Sequence, residues 1–348
     1  MTSAMTSTTQ YGQQQKMPKN YSSGHMTSHT ATFIDLTHPY LEEVELVMRQ
    51  SAGHHHASLD KAIDHLLSSG GKRIRPIAAI LIGKMLDADI ERITVHAAAI
   101  EMLHTATLVH DDLIDGSLLR RGLPTLNAQW TQGATVLAGD YIFARAARLA
   151  AATNSLVLMD SFARGLMTIV GGEITQLFSQ EFVTTHQSYL DRTYAKTASL
   201  FEVATEGAAV LGGASEETIE AMKLYGYYIG LAFQIVDDVL DFTGEQSQIG
   251  KPVASDLHQG LITLPTLYFL EDQSNGKMLI ERLQKKQINE NELEQIIEDI
   301  RSSSAIDRSL QQADEFAKTG EAQLELMPEK PERDALYELA RYVVNRSA

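Results

Sequence analysis

The stretch that decides the fold is residues 111–115, Asp-Asp-Leu-Ile-Asp, and residues 237–241 repeat its pattern as Asp-Asp-Val-Leu-Asp. Both copies lie in strongly apolar, helix-favouring sequence. On a helix, positions separated by one, three and four residues lie within a narrow arc, so each copy projects three carboxylates from one side. Like charges on one face repel each other, and neither pentad contains a basic residue to offset them.

A cation shared between the two acidic faces would remove this repulsion. Oxygen ligands favour magnesium, manganese or calcium over zinc. Magnesium usually keeps several waters and binds one or two carboxylates together with substrate phosphates. The two motifs therefore predict metal ions that link the protein to a phosphate or diphosphate ligand.

The composition excludes several classes of function. The chain has 348 residues, of which 44% are hydrophobic, and this supports a large buried core. The formal charge of -16, from 45 acidic against 29 basic residues, argues against a nucleic-acid surface. There is no cysteine, which excludes disulfides and thiolate chemistry and fits a reducing cytoplasm. No run of about 18 apolar residues occurs, so we expect no membrane span.

Residues 1–31 differ from the rest of the chain. They contain a glutamine run, many Ser and Thr and no acidic residue, and residues 22–26 resemble a tag junction, so we expect a disordered or tag-like segment. A transit peptide is disfavoured because such peptides are rich in Arg and this segment has none. Residues 32–348 contain no evident linker and are expected to form one domain.

The remaining sequence is helical almost throughout. Helices are predicted over residues 41–48, 59–67, 77–85, 90–114, 134–152, 156–181, 187–211 and 216–242. Each acidic motif lies near the end of a long predicted helix. Alternating apolar runs bounded by turns are missing, so no strands are expected. The pattern predicts an all-α fold, a single-domain bundle of about ten or more helices whose central cavity is lined from facing helices.

Basic clusters are informative in so acidic a chain. Residues 70–76, GGKRIRP, place three cations after two glycines, which let backbone approach an anion just before a helix start. A solvated turn explains this cluster about as well when it is taken alone. Arg120 and Arg121 follow the first motif closely and fit either a structural ion pair or contacts to a metal-held phosphate. Lys196 and Lys251, taken singly, fit the surface better than a site.

Taken in order, these segments resemble the trans-isoprenyl diphosphate synthases, also called polyprenyl synthetases. The segments are residues 70–76 (GGKRIRP), 101–122 (EMLHTATLVHDDLIDGSLLRRG), 172–176 (GEITQ), 196–197 (KT), 233–241 (FQIVDDVLD) and 250–257 (GKPVASDL). The resemblance covers residues from about 36 to 345. It implies the isoprenoid synthase fold and a magnesium-dependent, head-to-tail condensation of isopentenyl diphosphate onto an allylic diphosphate such as farnesyl or geranyl diphosphate.

The resemblance also implies a role for each site residue. The ligands of a cluster of three magnesium ions would be Asp111, Asp112, Asp115, Asp237, Asp238 and Asp241. The partners of the allylic diphosphate would be Arg120, Lys196, Thr197, Gln234 and Lys251. The isopentenyl diphosphate pocket would contain Lys72, Arg75, His104 and Arg121. Arg73 matches no fixed role and is predicted to lie at the surface.

Electrostatics explains these residue types. In this family, metal ions and protein cations draw charge onto the leaving diphosphate, and the resulting allylic cation is attacked by the double bond of isopentenyl diphosphate. The proton that is then lost can pass to the released diphosphate, so no dedicated protein base is required. His104 is interpreted as a phosphate donor and His110 as a hydrogen-bonded structural histidine.

Chain length in this family depends on the residue five positions before the first motif, which is Ala106 here. We take this role from the resemblance rather than from geometry. A small residue at this position leaves the channel open. Thr107 follows it, and Leu103 and Met102 lie a turn deeper. This implies a medium- or long-chain product, close to the bacterial heptaprenyl synthases that supply quinone side chains such as that of menaquinone or ubiquinone. A geranylgeranyl or other shorter product is the alternative.

Several alternatives follow from the same comparison. A terpene cyclase would not need the second diphosphate pocket. A non-catalytic subunit of a two-component synthase would typically have lost an acidic motif, and both are intact here. Leu261 stands where many members have a Lys, which puts part of the diphosphate subsite in doubt. The resemblance implies a homodimer, allows a small regulatory subunit, and leaves open a peripheral membrane contact for product release.

Overall fold

A computed structural model describes residues 32–50, 57–68, 70–120, 122–178, 185–244 and 253–346. The predicted tag-like segment, residues 1–31, lies outside the described residues. The first half contains α1 (Phe33–Gln50), α2 (Ala57–Ser68), α3 (Ile74–Met85), α4 (Ile90–Ile114), β1 (Leu119–Arg120), β2 (Leu123–Pro124), α5 (Leu126–Gln129), α6 (Gln132–Ala152) and α7 (Leu156–Phe178).

The second half is helical as well. It contains α8 (His186–Thr193), a π-helical turn (Tyr194–Ala198), α9 (Ser199–Leu211), α10 (Glu216–Thr243), α11 (Ser255–His258), α12 (Leu264–Glu271), α13 (Gly276–Gln284), α14 (Glu290–Ser302), α15 (Ala305–Ala322) and α16 (Pro331–Asn345). The predicted all-α bundle is confirmed. No described helix combines the length and the apolar character that a bilayer crossing requires.

Helix α4 forms the centre of the bundle. Asp89 caps its start by accepting a hydrogen bond from the Glu91 amide at 2.9 Å. Most side chains from Ile93 to Val109 are buried, as expected for a core helix. It contacts α3, α6 and α9, and its last turn carries the first acidic motif to the edge of the core.

Helix α10 brings the second motif to the same region by packing closely on α9. A Cβ atom at Gly226 would lie 2.6 Å from the carbonyl oxygen of Phe201 on α9, so only glycine permits this approach. Helix α9 also contacts α4, and it therefore links the two helices that carry the motifs. The close packing fixes the distance between the two acidic faces.

The structure corrects the predicted helix starts at two places. Helix α1 begins at Phe33 and contains Pro39, although the proline was expected to precede the helix. Burial of Phe33, Val44 and Met48 outweighs the one backbone hydrogen bond that the proline removes. Helix α3 begins at Ile74, before Pro76, which occupies the first turn where no amide donor is needed.

The expectation of no strands is also wrong. Leu119 pairs with Pro124, and Arg120 pairs with Leu123, in an antiparallel hairpin directly after the first motif. Each strand has only two residues, which is too short to produce an alternating sequence pattern. The hairpin turns the chain back and holds Arg120 beside the acidic helix.

Candidate active site

A cavity of about 720 Å³ opens between the motif-bearing ends of α4 and α10. Most of the predicted site residues line it, although they come from widely separated segments. They are Lys72, Arg75, His104, Thr107, Asp111, Asp115, Arg120, Lys196, Thr197, Gln234, Asp237 and Asp238. The cavity thus combines carboxylates from two helices with cations from several others.

Other predicted residues lie behind the cavity wall or outside the described chain. Arg121 and Lys251 fall outside the described residues. The wall does not include Asp112, Asp241, Ala106, Leu103 or Met102. The three chain-length candidates among these are fully buried in the core around α4, whereas Thr107 reaches the cavity.

The first acidic face is partly neutralised by Arg120. Its guanidinium donates from Nε to both oxygens of the buried Asp112, at 2.9 and 3.0 Å, and Nη2 lies 2.8 Å from Oδ1. The structure therefore contains the structural ion pair considered for this arginine. Arg120 also lines the cavity and its side chain is 31% exposed, so it can meet a second anion.

Asp111 faces the cavity and, unlike Asp112, forms no direct ion pair with Arg120. Burial raises its pKa to about 6, and the neighbouring Lys196 only partly opposes this. The ammonium group of Lys196 lies 3.2 Å from Glu173. Burial opposes the charge of Lys196, but Asp111 and Glu173 outweigh burial and raise its pKa. The lysine therefore remains a cation inside the site.

A close helix contact places this lysine. A Cβ atom at Gly172 would lie 2.5 Å from Cβ of Ala195, so α7 approaches the π-helical turn at a glycine. The turn carries Lys196 and Thr197, and both line the cavity. π-Helical turns often occur at functional sites because the extra residue redirects neighbouring side chains.

The second acidic face is held by a chain of side-chain hydrogen bonds. Tyr189 donates its hydroxyl to Oδ2 of Asp238 at 2.7 Å, and the Gln234 amide donates to Oδ1 at 2.8 Å. Thr197 donates to the Gln234 carbonyl at 2.6 Å. Burial and then the nearby Asp256 raise the pKa of Asp238 to about 7.

Asp241 binds the first backbone amides of α11. Its two carboxylate oxygens accept hydrogen bonds from the backbone amides of Ser255 and Asp256, at 3.2 and 3.1 Å. These amides begin α11, so the carboxylate caps that short helix. The third acid of the second motif thereby fixes α11, whose Asp256 lines the cavity, against α10.

The opposite wall is basic. Arg75 is buried with its guanidinium 4.5 Å from the centre of the Phe201 ring, and burial lowers its pKa to about 10. Its Nε has no hydrogen-bond partner among the described residues. Lys72 is exposed beside it, and His104 lies nearby on α4. The predicted surface position of Arg73 is wrong, because its side chain is only 11% exposed and pairs with Glu101.

Two residues of the cavity wall, Arg192 and Arg346, were not predicted from the sequence. Arg346 reaches back from the end of α16 to lie 2.7 Å from Asp237, and Arg192 donates to the Ile262 carbonyl at 2.8 Å.

Two residues discussed from the sequence are also placed by the structure. Leu261, which stands where the family resemblance expects a lysine, lines the cavity. His110 faces α6, where Nε2 lies 3.3 Å from the Val136 carbonyl, and this agrees with its predicted structural role.

The donor set suits a hard cation. The carboxylates of both faces offer oxygen ligands at the cavity wall, and burial raises the pKa of Asp111, Asp237 and Asp238, so a bound cation would stabilise their ionised forms. Among the described residues, no three His, Asp or Glu side chains form a group that could hold a metal ion by themselves. Oxygen ligands of this kind fit magnesium, manganese or calcium.

Comparison with known proteins agrees with this site. The family model described as polyprenyl synthetase matches residues 56–300. The chain is 34% identical to heptaprenyl diphosphate synthase component 2 of Bacillus subtilis over 307 residues, 88% of each chain. It is 38% identical to the all-trans-nonaprenyl-diphosphate synthase of Rhodobacter capsulatus over 284 residues, 81% of this chain and 87% of that one.

A solved structure shows the same fold. The polyprenyl synthase of Caulobacter crescentus, complexed with calcium and isoprenyl diphosphate, superimposes with a TM-score of 0.85 at 33% identity, over 93% of this chain and 100% of that one. The chain belongs to the polyprenyl synthetase family. It is an enzyme, a prenyltransferase of isoprenoid biosynthesis.

Proposed function

We propose that the chain condenses isopentenyl diphosphate head-to-tail onto an allylic diphosphate and makes a trans-polyprenyl diphosphate of about seven units. The observation that carries this proposal is one cavity with two acidic faces and a separate basic wall. Such a cavity suits two diphosphates, one held through metal ions and one held by cations. Residues 32–348 would form the synthase domain.

Magnesium is proposed as the cofactor, with Asp111 and Asp115 on one face and Asp237 and Asp238 on the other as candidate ligands. Asp112 and Asp241, whose oxygens serve Arg120 and α11, would support these ligands from behind. When bound, magnesium would supply Lewis-acid stabilisation of the charge that develops on the leaving diphosphate. Calcium in the Caulobacter crescentus structure supports an oxygen-ligand site for a hard divalent cation.

The allylic diphosphate would lie against Lys196, Thr197 and Arg120. Lys196 remains protonated because Asp111 and Glu173 outweigh burial, and it can donate to phosphate oxygens. Thr197 already donates to Gln234, which orients both side chains toward the cavity. Lys251 and Arg121, which the family resemblance adds to the two diphosphate subsites, lie outside the described residues.

Isopentenyl diphosphate would bind at the basic wall. Arg75 has a buried guanidinium whose Nε has no partner among the described residues, and Lys72 and His104 add further donors at the same wall. Arginine suits this task because its planar fork matches phosphate oxygens. Holding both substrates in one cavity raises the effective concentration of the reacting double bond at the allylic carbon.

In the reaction, the allylic carbon–oxygen bond breaks and its electron pair leaves with the diphosphate. The double bond of isopentenyl diphosphate then forms the new carbon–carbon bond. The product loses one proton, which we assign to the released diphosphate. The cations of the cavity stabilise the leaving group because they are already oriented before the bond breaks.

Product length is proposed to depend on the residues behind the first motif. Ala106 is fully buried and small, and Thr107 lies at the cavity wall. The relatives in Bacillus subtilis and Rhodobacter capsulatus are named for products of seven and nine units, which supports a long product here.

The test is a product analysis of the purified chain with magnesium, farnesyl diphosphate and labelled isopentenyl diphosphate. We expect products centred on seven units and diphosphate release only when both substrates are present. Release from the allylic substrate alone would indicate cyclisation or hydrolysis. A four-unit product would favour the geranylgeranyl alternative, and no turnover until a second protein is added would indicate a two-component enzyme.

A further inference from the structure

Arg73 has an unusual backbone for a residue with a side chain. It precedes α3 with a φ of 50° and a ψ of 29°, the left-handed conformation, and its side chain does not cap the helix. Residues other than glycine rarely adopt this conformation, and it persists where the surrounding structure holds it in place. Arg73 and its neighbours Lys72 and Arg75 all line the cavity, but the donors of Arg73 are turned to protein acceptors.

The side chain of Arg73 is anchored on three other helices. Its guanidinium donates to Glu101 of α4 at 2.5 Å, to Glu45 of α1 at 3.4 Å and to the Leu67 carbonyl of α2 at 3.2 Å. The Arg73 and Glu101 side chains are 11% and 6% exposed. Burial works against the charge of Arg73, but the two glutamates outweigh it and raise the pKa, so the pair remains ionic.

Glu101 is a carboxylate at the wall of a cavity that must accept diphosphates. It also acts electrostatically on Arg75, the buried arginine of the basic wall. Without a second cation beside it, Glu101 would offset part of the positive charge of Arg75 and would repel a diphosphate. Arg73 supplies that second cation. Its own donors are already bound to Glu101 and to the Leu67 carbonyl.

We propose that Arg73 is a positioning residue for isopentenyl diphosphate, which neutralises Glu101 and clamps the left-handed turn that directs Lys72 and Arg75 into the cavity. This inference rests on the proposed function, because it assigns the basic wall to isopentenyl diphosphate. It predicts that Arg73 acts on the affinity for one substrate and has little effect on the chemical step.

The test uses initial-rate kinetics with each substrate varied, for Arg73→Gly, Arg73→Lys and Glu101→Gln. Arg73→Gly keeps the backbone free to adopt a positive φ and removes the clamp. Lys286→Gly is the matched control, since Lys286 is an exposed cation with a φ of 51° that is not part of the cavity wall.

We expect Arg73→Gly to raise the KM for isopentenyl diphosphate about tenfold or more, as for loss of an oriented charge-assisted contact. Arg73→Lys should recover part of the affinity. Glu101→Gln weakens the clamp but also removes the repelling carboxylate, so it should raise the same KM by less than Arg73→Gly does. The kcat at saturating substrate and the allylic KM should change by less than about threefold, and Lys286→Gly should match the wild type in all three constants.

Other outcomes overturn the inference. A purely structural role would lower the active fraction, and kcat would fall while both KM values stayed constant. Equal shifts in the two KM values, or an unchanged KM for isopentenyl diphosphate, also contradict it. If Arg73→Gly does not fold, Arg73→Lys decides the question, because its smaller rise should likewise be confined to the KM for isopentenyl diphosphate. A wild-type chain that consumes no isopentenyl diphosphate overturns the proposed function itself, whereas normal wild-type turnover with an unshifted variant overturns only the role of Arg73.

Discussion

Arg346 lies 2.7 Å from Oδ1 of Asp237, and its guanidinium is 3.8 Å from the centre of the Phe233 ring. The end of the last helix is thus joined to the first acid of the second motif. Burial raises the pKa of Asp237, and Arg346 is the largest influence that opposes this. The arginine therefore helps to keep the carboxylate ionised.

Replacing Arg346 should weaken both the fold and the site. Arg346→Ala should cost about 1–2 kcal/mol in urea unfolding, which is less than a fully buried pair because the Asp237 side chain is 42% exposed. Arg346→Lys should keep most of the stability, since it retains the charge and loses the stacked fork. Equal stability of wild type and Arg346→Ala would show that the ion pair does not contribute.

Asp111→Ala and Asp237→Ala should each reduce turnover by about 10²–10³-fold or more, because each removes a proposed metal ligand. Folding should survive, and Asp111→Ala should melt at or above the wild-type temperature without metal, since burial already destabilises this carboxylate. Glu294→Ala, an exposed acid on α14, is the control and should remain active. Full activity of either aspartate variant at saturating magnesium would contradict the metal site.

Lys72→Ala should raise the KM for isopentenyl diphosphate by about ten- to a hundredfold through loss of a charge-assisted phosphate contact. The allylic KM should change less, because the allylic diphosphate is assigned to Lys196 and Arg120. We expect the opposite pattern for Lys196→Ala. The assignment of the two pockets is reversed if Lys72→Ala shifts the allylic constant more.

The chain should form a homodimer through α7. Exposed apolar side chains follow one another along this helix: Leu156, Val157, Met167, Val170, Ile174, Leu177 and Phe178. Contiguous apolar surface of this kind usually marks an interface. Light scattering should give a dimer for the wild type and a monomer for the double variant Met167→Glu, Ile174→Glu. Leu326→Glu, at a 79% exposed position away from α7, should remain dimeric. A wild-type chain that is monomeric and fully active would refute the dimer.

Ala106→Phe should shift products towards three or four units while condensation with short starters survives. A phenyl ring would fill the path of the growing chain, and displacing it would cost about 1–3 kcal/mol of overpacking. Ala106→Ser is the size-matched control and should give the wild-type chromatogram. If Ala106→Phe makes the same long product, Thr107→Phe is the next variant, because Thr107 lies at the cavity wall.

Local sequence patterns were enough to predict the long helices and the acidic motifs. Helix α4 was placed at its observed limits because its apolar residues define it locally. Tyr189 and Arg346 were missed because their partners lie 49 and more than 100 residues away in sequence. No periodicity encodes such contacts, since they arise only when the helices pack. Arg73 was misplaced for the same reason, because its anchor on Glu101 joins two helices that are separate in sequence.

The π-helical turn at Tyr194–Ala198 has a consequence for how this segment can vary in length. A π turn holds one residue more than an α turn, so deleting one residue would restore an α-helix and rotate everything before it by about 100° relative to α9. Tyr189 would then leave Asp238, and Lys196 would leave Glu173. Substitutions at exposed positions of this helix should be tolerated, whereas single-residue insertions and deletions should not.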